Sequence, residues 1–364
     1  MKRSGLVDPF PTPETAASAL IGVQAQIEPA AGLALWNRTS GLTMSKFTDL
    51  LYKDKTLVKL WGQRGTLHLY ASSDWPLIHA MRSINKTWWE RQIAAGQLVS
   101  NDHAALVERI ATLLLERETM GRTALRQLLE QHNIELAEDF YSPWGGIFAD
   151  LVRMGYACHA GRIKGEGHFA HRHNWLPKLA WNPPDADVAN VQIMRRYFQA
   201  YGPATLADFT YWRYPSSGHQ RRWFETIQPE LVEVNVAGQP MWVLDCDLDE
   251  LIATPPAPEA WPIKMLFRFE PYLLAHKEKD WVADAAHYKA IWRPAGHIEG
   301  IVLVYGRAVA TWGYEKKAGG LRVFVQPFAH LASPVLQTIH KITPEIAAFF
   351  ETRLFDLTIS LFER

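Results

Sequence analysis

The sequence predicts an α+β chain: three successive units of helices, each closed by a β-hairpin, and then a β-rich C-terminal region. Three observations carry that expectation. Helix-period and strand-period apolar patterns alternate in the same order three times between residues 12 and 246. Each unit closes on two β-rich runs separated by a glycine-containing turn. From about residue 246 the helical period gives way to β-branched and aromatic runs.

In the first unit, Thr12 followed by Pro13 marks a helix start, with proline at the first helical position. That helix is expected to run through Leu20 and Ile21 to about Gln24. A second follows Pro29 (AAGLALWNR), and a third starts near Ser45 with Phe47, Leu50 and Leu51 on its apolar side. TLVKLWGQRGTLHLY then reads as a hairpin turning at GQRG. Three helices and a hairpin are the layout of a winged helix, here 12–72. The second unit has helices at 104–118, GRTALRQLLE and WGGIFADLVRMGY, and a hairpin in YACHAGRIKGEGHFAHR. With a connecting helix it spans 73–180. The third, 186–246, has helices in VQIMRRYFQAY, PATLADFTYWR and HQRRWFETI and the hairpin LVEVNVAGQPMWVL. Residues 247–364 form a β-rich or barrel-like domain. In it PPAPEAWP is a loop, GHIEGIVLVYGRAVATWGYE a hairpin turning at Tyr305-Gly306-Arg307, LRVFVQPF a strand and PEIAAFFETRLFDLTISLF a closing helix.

A chain of 364 residues, 48% hydrophobic, is long enough for several cores. No apolar run approaches a membrane span, and the N-terminus lacks the apolar stretch of a signal peptide. Cys158 and Cys246 match no metal or redox spacing, so we expect a cytoplasmic protein. Lys+Arg 38 against Asp+Glu 38 counts against a surface coated in positive charge, but not against one basic groove.

Gln24 and Gln26 stand two positions apart at the end of an apolar run. On a helix they would point about 200° apart; in extended chain they share a face. Pro29 biases Glu28 away from the α region, so the chain is expected to straighten between Ala25 and Glu28. Two converging amides can hold a water or the edge of a base. Local sequence alone favours the plainer account, two solvated helix-end residues.

GVQAQ, LWGQRGTLHLY, YGPATLADFTYW, FRFEPYLLAHKEKDW and RPAGHIEGIVLVYGRAVATW, in this order, resemble the AlkZ-like family of winged-helix DNA glycosylases over about residues 12–360. The resemblance implies three tandem winged helices and a β-barrel in a C shape around DNA. It also implies excision of cationic alkylated purines of the N7-alkylguanine type and unhooking of interstrand crosslinks. The family's catalytic signature is Gln-aliphatic-Gln, matched by Gln24-Ala25-Gln26. A sister group resembling the bacterial YcaQ proteins has Asp at the second position. A ring-alkylated purine already carries positive charge and leaves without protonation, so two amides need only place a water and favour charge on the sugar. No lysine stands out beside the motif as a Schiff-base nucleophile, so base release without strand cleavage is expected. Bulky crosslinks imply that complete base flipping is not required.

Arg64 and His68 lie on a wing, as DNA or site contacts or as an ordinary wing arginine and core histidine. Glu270 stands where the family usually carries Asp, with a structural role the better account. His276, Lys277, Lys279, Arg293 and His297 are candidate DNA contacts in a basic stretch that also holds Lys289, diluted by Glu278, Asp280 and Asp284. Tyr305 and Arg307 form a hairpin tip that either probes a groove or is merely exposed. Arg221 and Arg222 lie where a recognition helix would be, or are surface charges. His159, His168, His171 and His173 fit no standard zinc pattern, so neither metal nor cofactor is expected. The expected partner is double-stranded DNA with alkylated bases or crosslinks, bound by a monomer with no membrane association. The competing classes are a non-catalytic winged-helix binder and a protein that sequesters an alkylating metabolite.

Overall fold

The computed structural model describes residues 1–85, 87–96, 102–134, 145–214 and 218–361. Thr12 caps the first helix, its hydroxyl accepting from the Thr15 amide at 3.1 Å, and Pro13 opens α1 (Pro13–Ala19). This helix stops well short of the expected Gln24. Ile21 and Gly22 take positive φ, 56° and 88°, and turn the chain out of it. Residues 23–24 then form β1 (Val23–Gln24), so the chain straightens earlier than expected. The expected cause is also corrected: Pro29 sits in the first turn of α2 (Glu28–Trp36), where its missing N–H costs nothing, and Glu28 is helical. The unit continues with α3 (Met44–Tyr52), capped by Thr43, and the hairpin β2 (Leu57–Trp61) and β3 (Leu67–Ala71).

Next come α4 (Trp75–Ser83), α5 (Trp88–Ala94), α6 (Asp102–Leu115), α7 (Arg122–Gln131), α8 (Gly146–Arg153), the hairpin β4 (Ala157–Ile163) and β5 (Glu166–His171), and α9 (Arg172–Trp175). Trp144, at the head of the segment expected to form α8, lies outside the described residues. Strand β2 meets β4 at Lys59 and His159, so the first two hairpins fuse into one sheet of order β1-β3-β2-β4-β5. Trp61, Phe148 and Phe169 stack across that junction.

The third unit holds α10 (Ala186–Tyr201), α11 (Leu206–Arg213), α12 (His219–Ile227) and the hairpin β6 (Leu231–Val236) and β7 (Gln239–Leu244). Thr205 and Asp208 form a reciprocal capping box that starts α11. Helix α10 is a buried spine. Its Tyr201 donates to the Leu20 carbonyl at 2.9 Å and its Tyr197 to the Ala275 carbonyl at 2.8 Å, tying α1 to the C-terminal region. Burial of each such ring contributes roughly 1.5–3 kcal/mol.

The remainder comprises α13 (Leu248–Ile252), β8 (Lys264–Leu266), α14 (Pro271–Leu274), α15 (Tyr288–Ile291), β9 (Trp292–Arg293), β10 (His297–Ile298), β11 (Gly300–Val304), β12 (Arg307–Lys317), β13 (Gly320–Pro327), α16 (Ser333–Phe349) and β14 (Leu354–Ile359). Two expectations change here. The main sheet, of order β14-β13-β12-β11-β8, is open: its edge strands β14 and β8 pair with one neighbour each among the described residues, so the barrel does not close. The closing helix also begins at Ser333 and carries Pro344 within it. It ends at Phe349, where Glu351 takes φ 55°, and the alternating LFDLTI then pairs in parallel with β13. The mixed α/β architecture itself stands. One buried apolar cluster runs from Ala16 through Tyr197 to Phe350. Among the described residues no helix is long and apolar enough to cross a membrane.

Candidate active site

The paired amides owe their geometry to β1. Its register with β3 sets Gln24 opposite His68, and the Ala25 amide donates to the Leu67 carbonyl at 2.7 Å. Ala25 is buried. Gln24, 5% exposed, and the exposed Gln26 therefore emerge on one face, as side chains i and i+2 do in extended chain. Gln24 Nε2 donates to Gln26 Oε1 at 2.6 Å, and Arg64 Nη2 donates to Gln24 Oε1 at 2.9 Å.

A rigid layer lies beneath. Gln63 Nε2 donates to the Ile21 carbonyl at 2.7 Å, bracing the turn that ejects the chain from α1. The Tyr70 hydroxyl donates to Gln63 Oε1. Tyr70 packs so tightly that a Cβ on Gly22 or Gly62 would overlap it. His68 Nδ1 lies 3.0 Å from the Thr66 carbonyl, which accepts only, so that nitrogen carries the proton. Burial pulls the His68 pKa down to about 3, so the ring is neutral and Nε2 is an acceptor. Gln24, Gln63, Arg64 and His68 line a cavity of about 10 Å³, walled by Tyr201, Trp212 and Leu274. That is room for one water.

On the outer side Tyr211 of α11 lies between two cations. The Arg64 guanidinium is 5.8 Å from its ring centre and Lys279 Nζ 4.8 Å. Burial lowers the Lys279 pKa to about 8, and its ammonium is held by the carbonyls of Leu273 (3.0 Å) and His276. Nearby carboxylates are committed to structure. Asp208 takes the Thr205 hydroxyl and the Lys277 amide, both at 2.7 Å. Glu28 takes Tyr52 and Lys59, at 2.7 and 3.0 Å. Glu270, fully buried, pairs with Arg38. Sequence reasoning missed Gln63, Tyr70 and Tyr211. All three stand inside the quoted motifs, but only the tertiary fold brings Tyr211 against Arg64.

The structure thus brings Arg64 and His68 to the amides, with Lys279 one step removed over the Tyr211 ring. The other candidates lie elsewhere. His276 Nε2 meets the Pro203 carbonyl at 3.3 Å, and Lys277 and Arg293 are exposed. His297 packs edge-on against Phe269, with ring centres 5.5 Å apart. Tyr305 is exposed at the hairpin tip, while Arg307 donates to the Asp280 carbonyl at 2.9 Å and pairs with Asp284. On α12 Arg221 is exposed and Arg222 pairs with Asp187. Of the four clustered histidines, His159 packs between Trp61 and Phe169, His168 meets Thr119 at 3.1 Å, and His171 stacks on His173.

Known proteins place this architecture. The solved structure of the Streptomyces sahachiroi DNA glycosylase AlkZ matches it with a TM-score of 0.82 at 26% identity, covering 99% of this chain and 97% of that one. A relative from the same organism, the "Interstrand DNA cross-link repair glycosylase", is 29% identical over 312 residues, 83% of this chain and 82% of its own. The class is that of the DNA glycosylases, enzymes that hydrolyse N-glycosyl bonds. Within it, the family described as "DNA glycosylase AlkZ-like" matches residues 17–349, and the chain belongs to that family.

Proposed function

We propose that Gln24 and Gln26 are the catalytic pair, holding the water that replaces a cationic alkylated purine. The observation that carries this reading is the 2.6 Å contact between them on one face of an extended segment. Each amide oxygen accepts one protein hydrogen bond and keeps a second acceptor site. A water donating one hydrogen to each oxygen keeps a lone pair for the anomeric carbon. As the sugar–nitrogen bond breaks, its electron pair neutralises the purine. The developing sugar cation faces two carbonyl dipoles, and the water's oxygen bonds to carbon and releases its proton to solvent. No side chain has to protonate the leaving base.

The substrate class we assign is double-stranded DNA bearing N7-alkylguanine lesions, crosslinks included, as the name of the relative suggests. The units at 12–72, 73–180 and 186–246 then act as winged helices which, with residues 247–364, curve around the duplex. Arg221, Arg222, His276, Lys277, Arg293, His297, Tyr305 and Arg307 would be its outlying contacts. The protein acts as a monomer at the nucleoid. Excision assays on duplexes carrying 7-methylguanine, a nitrogen-mustard crosslink, uracil or hypoxanthine test this. Release of the two cationic lesions alone is expected, and release of uracil or hypoxanthine at a comparable rate would refute it.

A further inference from the structure

We propose that Arg64 is a positioning residue that sets which atoms the two glutamines present to the water, rather than a contact to DNA phosphate. The inference rests on the assignment of Gln24 and Gln26 as the water-holding pair and goes one step deeper. An amide can turn over, exchanging oxygen for NH2, and the two orientations fill the same space. A guanidinium breaks that symmetry because it only donates. With Arg64 Nη2 2.9 Å away, the Gln24 atom facing it must be oxygen. Gln24 Nε2 then faces Gln26, so the Gln26 atom 2.6 Å away must also be oxygen. One donor at the head of a chain of two amides therefore fixes both. Two carbonyl oxygens are left to share a water, and the free Gln26 NH2 points away from that contact.

The backbone and the surroundings favour this role. Arg64 takes a left-handed φ of 55°, which arginine rarely adopts. The side chain is half-buried against Tyr211, not extended into solvent as a phosphate contact would be. Without Arg64 either amide is free to turn, and an NH2 facing the water would draw on one of its two lone pairs and remove one of the acceptors that hold it, leaving a less nucleophilic and less fixed oxygen.

Single-turnover excision of 7-methylguanine, together with duplex affinity across a salt series and melting temperature, tests this. The proteins are wild type, Arg64→Met, Arg64→Lys, Gln24→Ala, Gln26→Ala and the Gln24→Ala/Arg64→Met pair. Arg64→Met should slow excision about 100-fold while affinity stays within about twofold and its salt slope is unchanged. Arg64→Lys, still a donor, should recover most of the rate. In the Gln24→Ala background the Met substitution should cost nothing further. A loss of affinity with a salt slope smaller by about one would instead identify a phosphate contact and overturn the inference. Unchanged excision by Arg64→Met, or equal slowing with and without Gln24, would do the same. If Gln24→Ala and Gln26→Ala themselves excise normally, the water-holding assignment falls first.

Discussion

Gln24 and His68 face each other across antiparallel β1 and β3, one an amide that never titrates and the other an imidazole that burial keeps neutral. Neither group changes state between about pH 5 and pH 7, and Lys279, over the Tyr211 ring, titrates above that window, at about 8. The single-turnover rate on a cationic lesion should be flat between about pH 5 and pH 7. An inflection in that window would reveal a titrating catalytic group.

The buried imidazoles have the opposite effect on stability. His68 titrates near 3 in the folded state and His159 well below its ordinary value, both mainly through burial. Above the ordinary histidine value near 6.5 both states are neutral and nothing is lost. Below it the unfolded chain takes up protons that the folded chain does not, so stability falls as pH falls. Each group contributes up to about 1.4 kcal/mol per pH unit. Melting temperature should drop from pH 7 to pH 5, and His159→Phe, set between Trp61 and Phe169, should make that slope shallower. An unchanged slope would remove His159 from the account.

Arg38 and Glu270 form a fully buried ion pair joining the segment just after α2 to the N-cap of α14. Arg38 Nε also donates to the Ser4 carbonyl at 2.7 Å and Nη1 to the Ala34 carbonyl at 2.8 Å. Removing one partner leaves a buried charge uncompensated, so Glu270→Ala should cost about 3–5 kcal/mol in denaturant unfolding. Arg38→Met/Glu270→Leu should recover a large part of that. A double variant as unstable as the single one would contradict a charge-based origin.

Gly62 is required for space, not for backbone freedom. A Cβ there would overlap the Tyr70 hydroxyl and press on His68. Gly62→Ala should cost about 1–3 kcal/mol in thermal unfolding and slow excision by shifting Gln63 beneath the amides. Adding Tyr70→Phe, which removes the overlapping oxygen, should restore part of the stability. No restoration would place the clash elsewhere.

Local signals in the sequence located most elements. Thr12-Pro13 marked α1 and GQRG a hairpin, and the helix-to-strand change of period recurred where α10 to β7 lie. What escaped was set by tertiary contact. Gly22 is a local stop signal for α1, but nothing in the sequence announces that Ile21 itself takes a positive φ, which Gln63 secures from forty-two residues away. LFDLTI reads as helix beside AAFFETR until β13 offers a parallel partner. Closure of the barrel depends on pairing between edge strands, which no period reports. The candidate site was legible as a motif and a face. The clamp of Arg64 and Tyr211 needed α11 folded against the wing.

The central claim is that two uncharged side chains, held together at the end of a short edge strand, position the nucleophilic water. The most direct measurement is the single-turnover release of 7-methylguanine from a duplex by wild type, Gln24→Ala and Gln26→Ala, with duplex affinity measured in parallel. The account predicts a loss of about 100-fold or more in rate for each variant, with affinity essentially unchanged. Wild-type rates in both variants would contradict it.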